Sequence, residues 1–399
     1  MILDKLFRLM AEKQASDIFI CAGIPIHIKI NGNTQPVNQQ TMDPVTIEKI
    51  AYELMQPDQL KIFEATMEMN LSFGVPHIGN FRINLFRQRS SISIVIRYIL
   101  GNIPPLDTLA LPPVLSELIM EKRGLILIVG ASGSGKSTTI AAMLDHRNAN
   151  RTGHILTIED PIEFLFRHKK SIVNQRELGM DTLGWEPALK NAMRQAPDCI
   201  LIGEIRDKET MQAAIAYAQT GHLCLATLHA NNSYHALNRA INFFPLESRA
   251  SLYLDLSASL KAIISQRLVK KPDGRRTPAA EVLLNTRHVQ ELIERGEILA
   301  VKEAMEQSLA PGSQTFEQDL FRLYRDRVIT LDEALSNADS PTNLSWLINN
   351  SELMNQARKD EAQGEIPLDF AEISMNGASF KEFTLNLDDD EPQVANVAK

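Results

Sequence analysis

The sequence predicts an α/β protein in which a smaller α+β domain precedes a domain built on a mainly parallel sheet. Three observations carry that prediction. Apolar and polar residues alternate with period two in stretches of the first hundred residues. From Lys122 onward, short and almost continuous apolar bursts alternate with helical segments. The first of those bursts runs into a glycine-rich loop that opens a helix. Alternation marks strands with one wet face, whereas continuous apolar strands belong to a parallel sheet covered on both faces.

Taken in chain order, Ile2, Leu6, Leu9 and Met10 recur at helical spacing and predict a helix over about 2–13. Ile26, Ile28 and Ile30 then alternate with His27 and Lys29, and Asn31-Gly32 follows, a pair suited to a tight hairpin turn. A helix is expected over about 43–65, capped near Asp43, and two more strands over Asn80–Ile99. Gly101-Asn102-Ile103-Pro104-Pro105 reads as a linker, because paired prolines disfavour helix and sheet interiors. GLILIVG, HILTIED, DCILIGEI and LCLATLH are the apolar bursts, and Thr315–Asp339 reads as a terminal helical region. The expected division is therefore 1–100, a linker at 101–112, a parallel-sheet domain with C-terminal helices at 113–350 and a poorly ordered tail at 351–399.

Charge narrows the function. The net charge is −8, which argues against a surface built to grip nucleic acid. From Gln356 onward ten acidic residues face four basic ones, so the tail carries −6 of that charge and the body is nearly neutral. The three cysteines, Cys21, Cys199 and Cys224, lack the C-x-x-C spacing of a zinc or disulfide framework and read as free thiols. No run of about 18 apolar residues is present, so no transmembrane segment is expected. The expected location is the cytoplasm.

The strongest motif is Gly130-Ala131-Ser132-Gly133-Ser134-Gly135-Lys136-Ser137, a G-x-x-x-x-G-K-[ST] loop between the strand GLILIV and the helix that continues through Thr138. Its glycines let successive backbone N–H groups turn inward on a phosphate, and the helix N-terminus adds a favourable dipole. In such loops the lysine, here Lys136, reaches the β- and γ-phosphates of ATP, and the hydroxyl of Ser137 is a ligand for Mg2+. HILTIED ends in Glu159-Asp160-Pro161-Ile162-Glu163, where one carboxylate stands ready to orient or deprotonate the attacking water. DCILIGEIRD has the run of a Walker-B strand with Gly203 where many ATPases have Asp, which leaves Glu204 as the acid acting on Mg2+, in part through its water shell. His222 and His229 bracket the fourth burst, too far apart for one ion. His229 is read as a γ-phosphate sensor and His222 as a contact between segments. Arg82 and Arg97 are embedded in strands; an arginine delivered in trans can stabilise charge on a transferring phosphoryl group.

GASGSGKST, IEDPIEF, RQAPDCILIGEIRD and TGHLCLATLHAN, in this order and spacing, resemble the type IV pilus retraction motor ATPases within the secretion ATPases, over about residues 1–350. INFFP, KAIISQRL and GSQTFEQDLF, with the acidic tail, look most like the PilU branch of accessory retraction ATPases. The resemblance implies a PAS-like N-terminal domain, a RecA-like ATPase domain and a homohexameric ring with ATP between neighbours. It implies Glu163 as the general base, Glu204 as the Walker-B acid, and Arg82 and Arg97 as arginines that reach the phosphates. It also implies a principal retraction ATPase and an inner-membrane pilus platform protein as partners, at the cytoplasmic face of the inner membrane. Two departures stand out. LLNTRHVQELIERGEILA replaces the AIRNLIRE element of the principal retraction ATPase, and Ala131-Ser132 replaces the usual Pro-Thr. The competing readings are a nucleotide-dependent partner that couples a principal ATPase, and a pilus-assembly or secretion ATPase. The latter carries a four-cysteine zinc element that this sequence lacks.

Overall fold

The computed structural model describes residues 2–30, 32–76, 78–99, 102–308 and 310–350; the expected acidic tail lies outside them. The chain divides into two units at Asp339 and Ser340. In the second, residues 341–350 are helical.

Six strands from the first hundred residues form one sheet: β1 (Asp17–Ile20), β2 (Pro25–Ile30), β3 (Asn33–Thr41), β4 (Glu68–Val75), β5 (Gly79–Gln88) and β6 (Ser91–Ile99), ordered β3-β2-β1-β6-β5-β4. Every pairing is antiparallel. Alternation sets the two faces: in β5, Phe81, Ile83 and Leu85 are buried while Arg82 and Asn84 point the other way. The buried face packs against Leu3, Leu6, Phe7 and Met10 of the first helix and Ile47, Ile50 and Leu54 of the second. The single helix expected over 43–65 is two, Pro44–Leu54 and Pro57–Thr66. Pro57 explains the break, since it has no N–H to donate and forces the preceding residue out of helical geometry. Asp43 caps the first of them, accepting from the Thr46 N–H.

The second sheet has seven strands: β7 (Gly124–Val129), β8 (Gly153–Glu159), β9 (Ser171–Glu177), β10 (Cys199–Ile202), β11 (Leu223–Leu228), β12 (Leu260–Lys270) and β13 (Arg276–Leu284), ordered β13-β12-β7-β11-β10-β8-β9. All neighbours are parallel except the β12–β13 hairpin. The apolar bursts are continuous because both faces are covered. Leu125, Leu127 and Val129 pack into one cluster with Ile200, Ile202 and Cys224, while Ile126 and Ile128 pack into another with Cys199, Leu201 and Leu225. Cys199 and Cys224 are buried free thiols, and burial pushes Cys199 up to about 12. This is the α/β class the sequence predicts, with β4, β9 and the β12–β13 hairpin as strands the alternation did not reveal.

Parallel order has one consequence for chemistry. The loops that leave β7, β8, β10 and β11 all emerge at the same carboxyl edge of the sheet, the edge at which α/β proteins bind ligands.

Candidate functional site

A cavity of about 240 Å³ opens at that edge. Ser132, Gly133, Lys136 and Ser137 line it from the loop after β7 and the helix start that follows, and Glu159, Asp160 and Glu163 from the end of β8 and the loop after it. Gly203 and Glu204 enter after β10, and Thr227 and His229 from the end of β11.

The loop after β7 holds its shape for steric reasons. Gly130, Gly133 and Gly135 have φ of 152°, 76° and 93°, backbone that side chains resist. A Cβ on Gly130 would sit 2.5 Å from the Gln266 carbonyl oxygen, and one on Gly135 2.8 Å from the Gln266 amide nitrogen. The Gln266 side chain is itself pinned, accepting from Thr139 Oγ1 at 2.7 Å in the buried layer behind the loop. At the helix start, Lys136 Nζ donates to the carbonyls of Gly130 and Ala131, both at 2.8 Å. Burial lowers the Lys136 pKa, opposed by the nearby Glu204 and Glu163 carboxylates. Lys136 thus bridges its own loop with its charge facing the two acids.

Glu204 is clamped from both sides. Arg206 Nε donates to its Oε2 at 2.6 Å, and His229 Nε2 lies 3.1 Å from its Oε1. Glycine at 203 follows from packing: a Cβ there would lie 3.1 Å from the Glu159 Cα and the Ile158 carbonyl of the adjacent strand end. The Thr227 hydroxyl donates to the Gly203 carbonyl, tying the ends of β10 and β11 together.

Glu159 keeps a face on the cavity but is otherwise enclosed by protein. Burial pushes its pKa up to about 7, although the Thr157 hydroxyl (2.6 Å) and Gln175 amide (3.2 Å) donate to its Oε1 and act the other way. Glu163 adds a like charge nearby.

Not every residue singled out in the sequence meets at this cavity. His222 stands at the start of β11, where its carbonyl accepts from the Gly124 N–H at the opposite edge of the sheet, and it does not line the cavity within this chain. Arg82 and Arg97 face each other across β5 and β6 but turn to separate carboxylates. Arg82 pairs with Glu177 at 3.3 Å and Arg97 with Asp17 at 2.9 Å. Gly130, Ser134, Gly135 and Thr138 belong to the loop and its helix without lining the cavity. Gln175, Glu177 and Gln266, which hold the cavity's loops, are not among the candidate site residues read from the sequence: β9 carries no motif, and KAIISQRL of β12 gives Gln266 no chemical role.

Similarity to known proteins decides the family. The family model for Type II/IV secretion system proteins matches residues 1–295. The Type IV pilus ATPase PilU of Pseudomonas aeruginosa is 48% identical over 349 residues, covering 87% of this chain and 91% of that protein. The chain belongs to the type IV pilus ATPase family. The retraction ATPase PilT of the same organism is 38% identical over 343 residues, 86% of this chain and 100% of that one. A crystal structure of the pilus retraction motor PilT with bound ADP superposes with a TM-score of 0.80 at 39% identity, over 86% of this chain and 98% of that one. Among the described residues no helix is long and apolar enough to cross a membrane.

Proposed function

We propose that this member of the pilus ATPase family hydrolyses ATP to drive mechanical work in the type IV pilus system, as an accessory ATPase for pilus retraction and twitching motility. The observation that supports it most is the convergence of Lys136, Ser137, Glu163 and Glu204 on one cavity at the carboxyl edge of a parallel sheet. The similarity to PilU and to ADP-bound PilT gives that cavity a ligand class.

In this reading the loop Gly130–Ser137 with Thr138 cradles the phosphates through backbone N–H groups. Lys136 exchanges its two carbonyl partners for β- and γ-phosphate oxygens, a stronger charge-assisted pairing. Glu163 takes the proton of the attacking water. His229, seated against Glu204, senses the γ-phosphate. Ser137 and Glu204 both line the cavity and would offer a hydroxyl and a carboxylate oxygen to an Mg2+ that arrives with the nucleotide, an ion that characteristically takes one or two protein oxygens plus phosphates and water. Held by these residues, the ion would supply positive charge to offset that of the phosphates.

Residues 1–100 and 113–350, joined by a linker at 101–112, are assigned as N-terminal and ATPase domains. A homohexamer with ATP between neighbours completes the reading, with Arg97 reaching the phosphates and His222 a contact between segments. So do a principal retraction ATPase and an inner-membrane platform protein as partners at the cytoplasmic membrane face. The test of direction is a strain lacking this chain, scored for surface pili and twitching. Retained pili with failed twitching, or excess pili, are expected; bald cells would exclude a retraction role. Complementation with Lys136→Ala is expected to fail, because the motor role requires turnover.

A further inference from the structure

The acid loop that follows β8 does not stand by itself. It hangs on the end of β9, a strand outside every motif. Gln175 donates to Glu159 Oε1 at 3.2 Å and to the Phe164 carbonyl at 2.8 Å, and accepts from the Phe166 N–H at 2.9 Å. Two residues on, Glu177 is buried, with only 4% of its surface exposed. Its Oε2 accepts from the Ile162 N–H at 3.2 Å, one residue before Glu163. Its Oε1 faces Arg82 Nη2 at 3.3 Å.

Arg82 belongs to β5 of the other sheet, so one buried carboxylate is shared between the N-terminal sheet and the loop that carries the proposed base. A second feature points the same way. Phe166 lines the nucleotide cavity on one side. On the other it lines a cleft shared with Gly79, Asn80 and Tyr98 of the N-terminal sheet. The segment 159–167 is thus held between that sheet and the cavity.

We propose that Glu177 is a positioning residue of the ATPase site, through which the seating of the N-terminal sheet sets the position of Glu163. The physical reason is the cost of leaving Glu177 half-partnered. A buried carboxylate that loses its cation is destabilised by desolvation and relieves that by moving toward water. That movement weakens its acceptance of the Ile162 N–H. The loop then shifts by a fraction of a bond-pair distance, enough to spoil the aim of a general base on water. A movement of the N-terminal sheet that withdraws Arg82 has the same effect, so the pair couples domain position to turnover. The proposal rests on the ATPase reading above.

The test compares wild type with Glu177→Ala, Glu177→Gln, Arg82→Gln and Arg82→Lys in the full chain. Two readouts are needed: steady-state ATPase kinetics, and amide hydrogen exchange over residues 160–167 without nucleotide. Expected are a fall in kcat of about 10- to 100-fold in Glu177→Ala and Arg82→Gln, with KM for ATP within a few-fold of wild type. Exchange should be faster in that loop only, and Arg82→Lys should recover part of both effects. Glu177→Gln keeps an acceptor for Ile162 and should fall between wild type and Glu177→Ala. Loss of kcat in Arg82→Gln with wild-type rates in both Glu177 variants would overturn the proposal, since Arg82 would then act elsewhere. Unchanged loop exchange in Arg82→Gln would overturn it as well, and that measurement stands even if Glu177 variants fail to fold. A wild-type protein without ATPase activity would instead remove the ATPase reading, leaving the exchange data to judge the Arg82–Glu177–Ile162 link.

Discussion

Replacing Glu159 with glutamine gives a pH signature whose sign and size follow from its surroundings. The side chain has almost the same shape, and its carbonyl oxygen can still accept from Thr157 and Gln175, so the change removes mainly the ability to ionise. In the folded wild type burial raises this carboxyl from 4.5 to about 7. Between those values the fold retains a proton that the unfolded chain has released, so the folded state binds more protons and its stability must fall as pH rises. The penalty is absent below about pH 4.5, accumulates through the window, and is complete above about pH 7. At about 1.4 kcal/mol per pH unit, the interval from 4.5 to about 7 is worth about 3 kcal/mol. Thermal unfolding of nucleotide-free wild type and Glu159→Gln, scanned from pH 5 to 8, reads the difference directly. The variant should gain on wild type by several degrees across the scan, since each kcal/mol moves a domain of this class by roughly 2–4 °C. A difference that stays flat with pH, or wild type gaining as pH rises, would refute the assignment of a buried, proton-holding carboxyl at this position.

Gly135→Ala should destabilise the nucleotide loop by about 1–2 kcal/mol from the φ of 93° alone. It should also displace the pinned Gln266 amide 2.8 Å from the new methyl group, and calorimetry should show weaker ATP binding together with the lower melting temperature. Thr139→Val leaves the buried Gln266 carbonyl oxygen without its donor. A loss of about 1–3 kcal/mol is expected in urea unfolding, accompanied by weakened ADP binding because Gln266 backs the phosphate loop.

How much of this was legible in the sequence depends on where each strand sits. β7, β8, β10 and β11 are central and covered on both faces, so their apolar runs are unmistakable. β9 lies at the sheet edge with Ile172 and Asn174 exposed, and its mixed composition conceals it. β4 is an edge strand of the first sheet, where only Leu71 is buried, and its pattern is hidden for the same reason. Among the site residues, Lys136, Ser137, Glu163, Glu204 and His229 reach the cavity because parallel strands send their loops to one edge. The partners that hold them do not announce themselves. Gln266 is one glutamine in an ordinary strand, and its place behind Gly130 and Gly135 depends on β12 pairing with β7. Glu177 gains meaning only when Arg82, nearly a hundred residues earlier, is brought against it. His222 and His229 were legible as a separated pair, and the six-residue strand between them sets them at opposite edges of the sheet.

The most direct measurement is single-turnover ATP hydrolysis by Glu163→Gln and Lys136→Ala, each paired with equilibrium ATP binding. If the cavity at the carboxyl edge is where a water attacks the γ-phosphate, Glu163→Gln binds ATP as wild type does but hydrolyses it about 10²–10⁴-fold more slowly, whereas Lys136→Ala loses binding itself. Wild-type hydrolysis in Glu163→Gln, or undiminished ATP affinity in Lys136→Ala, would contradict it.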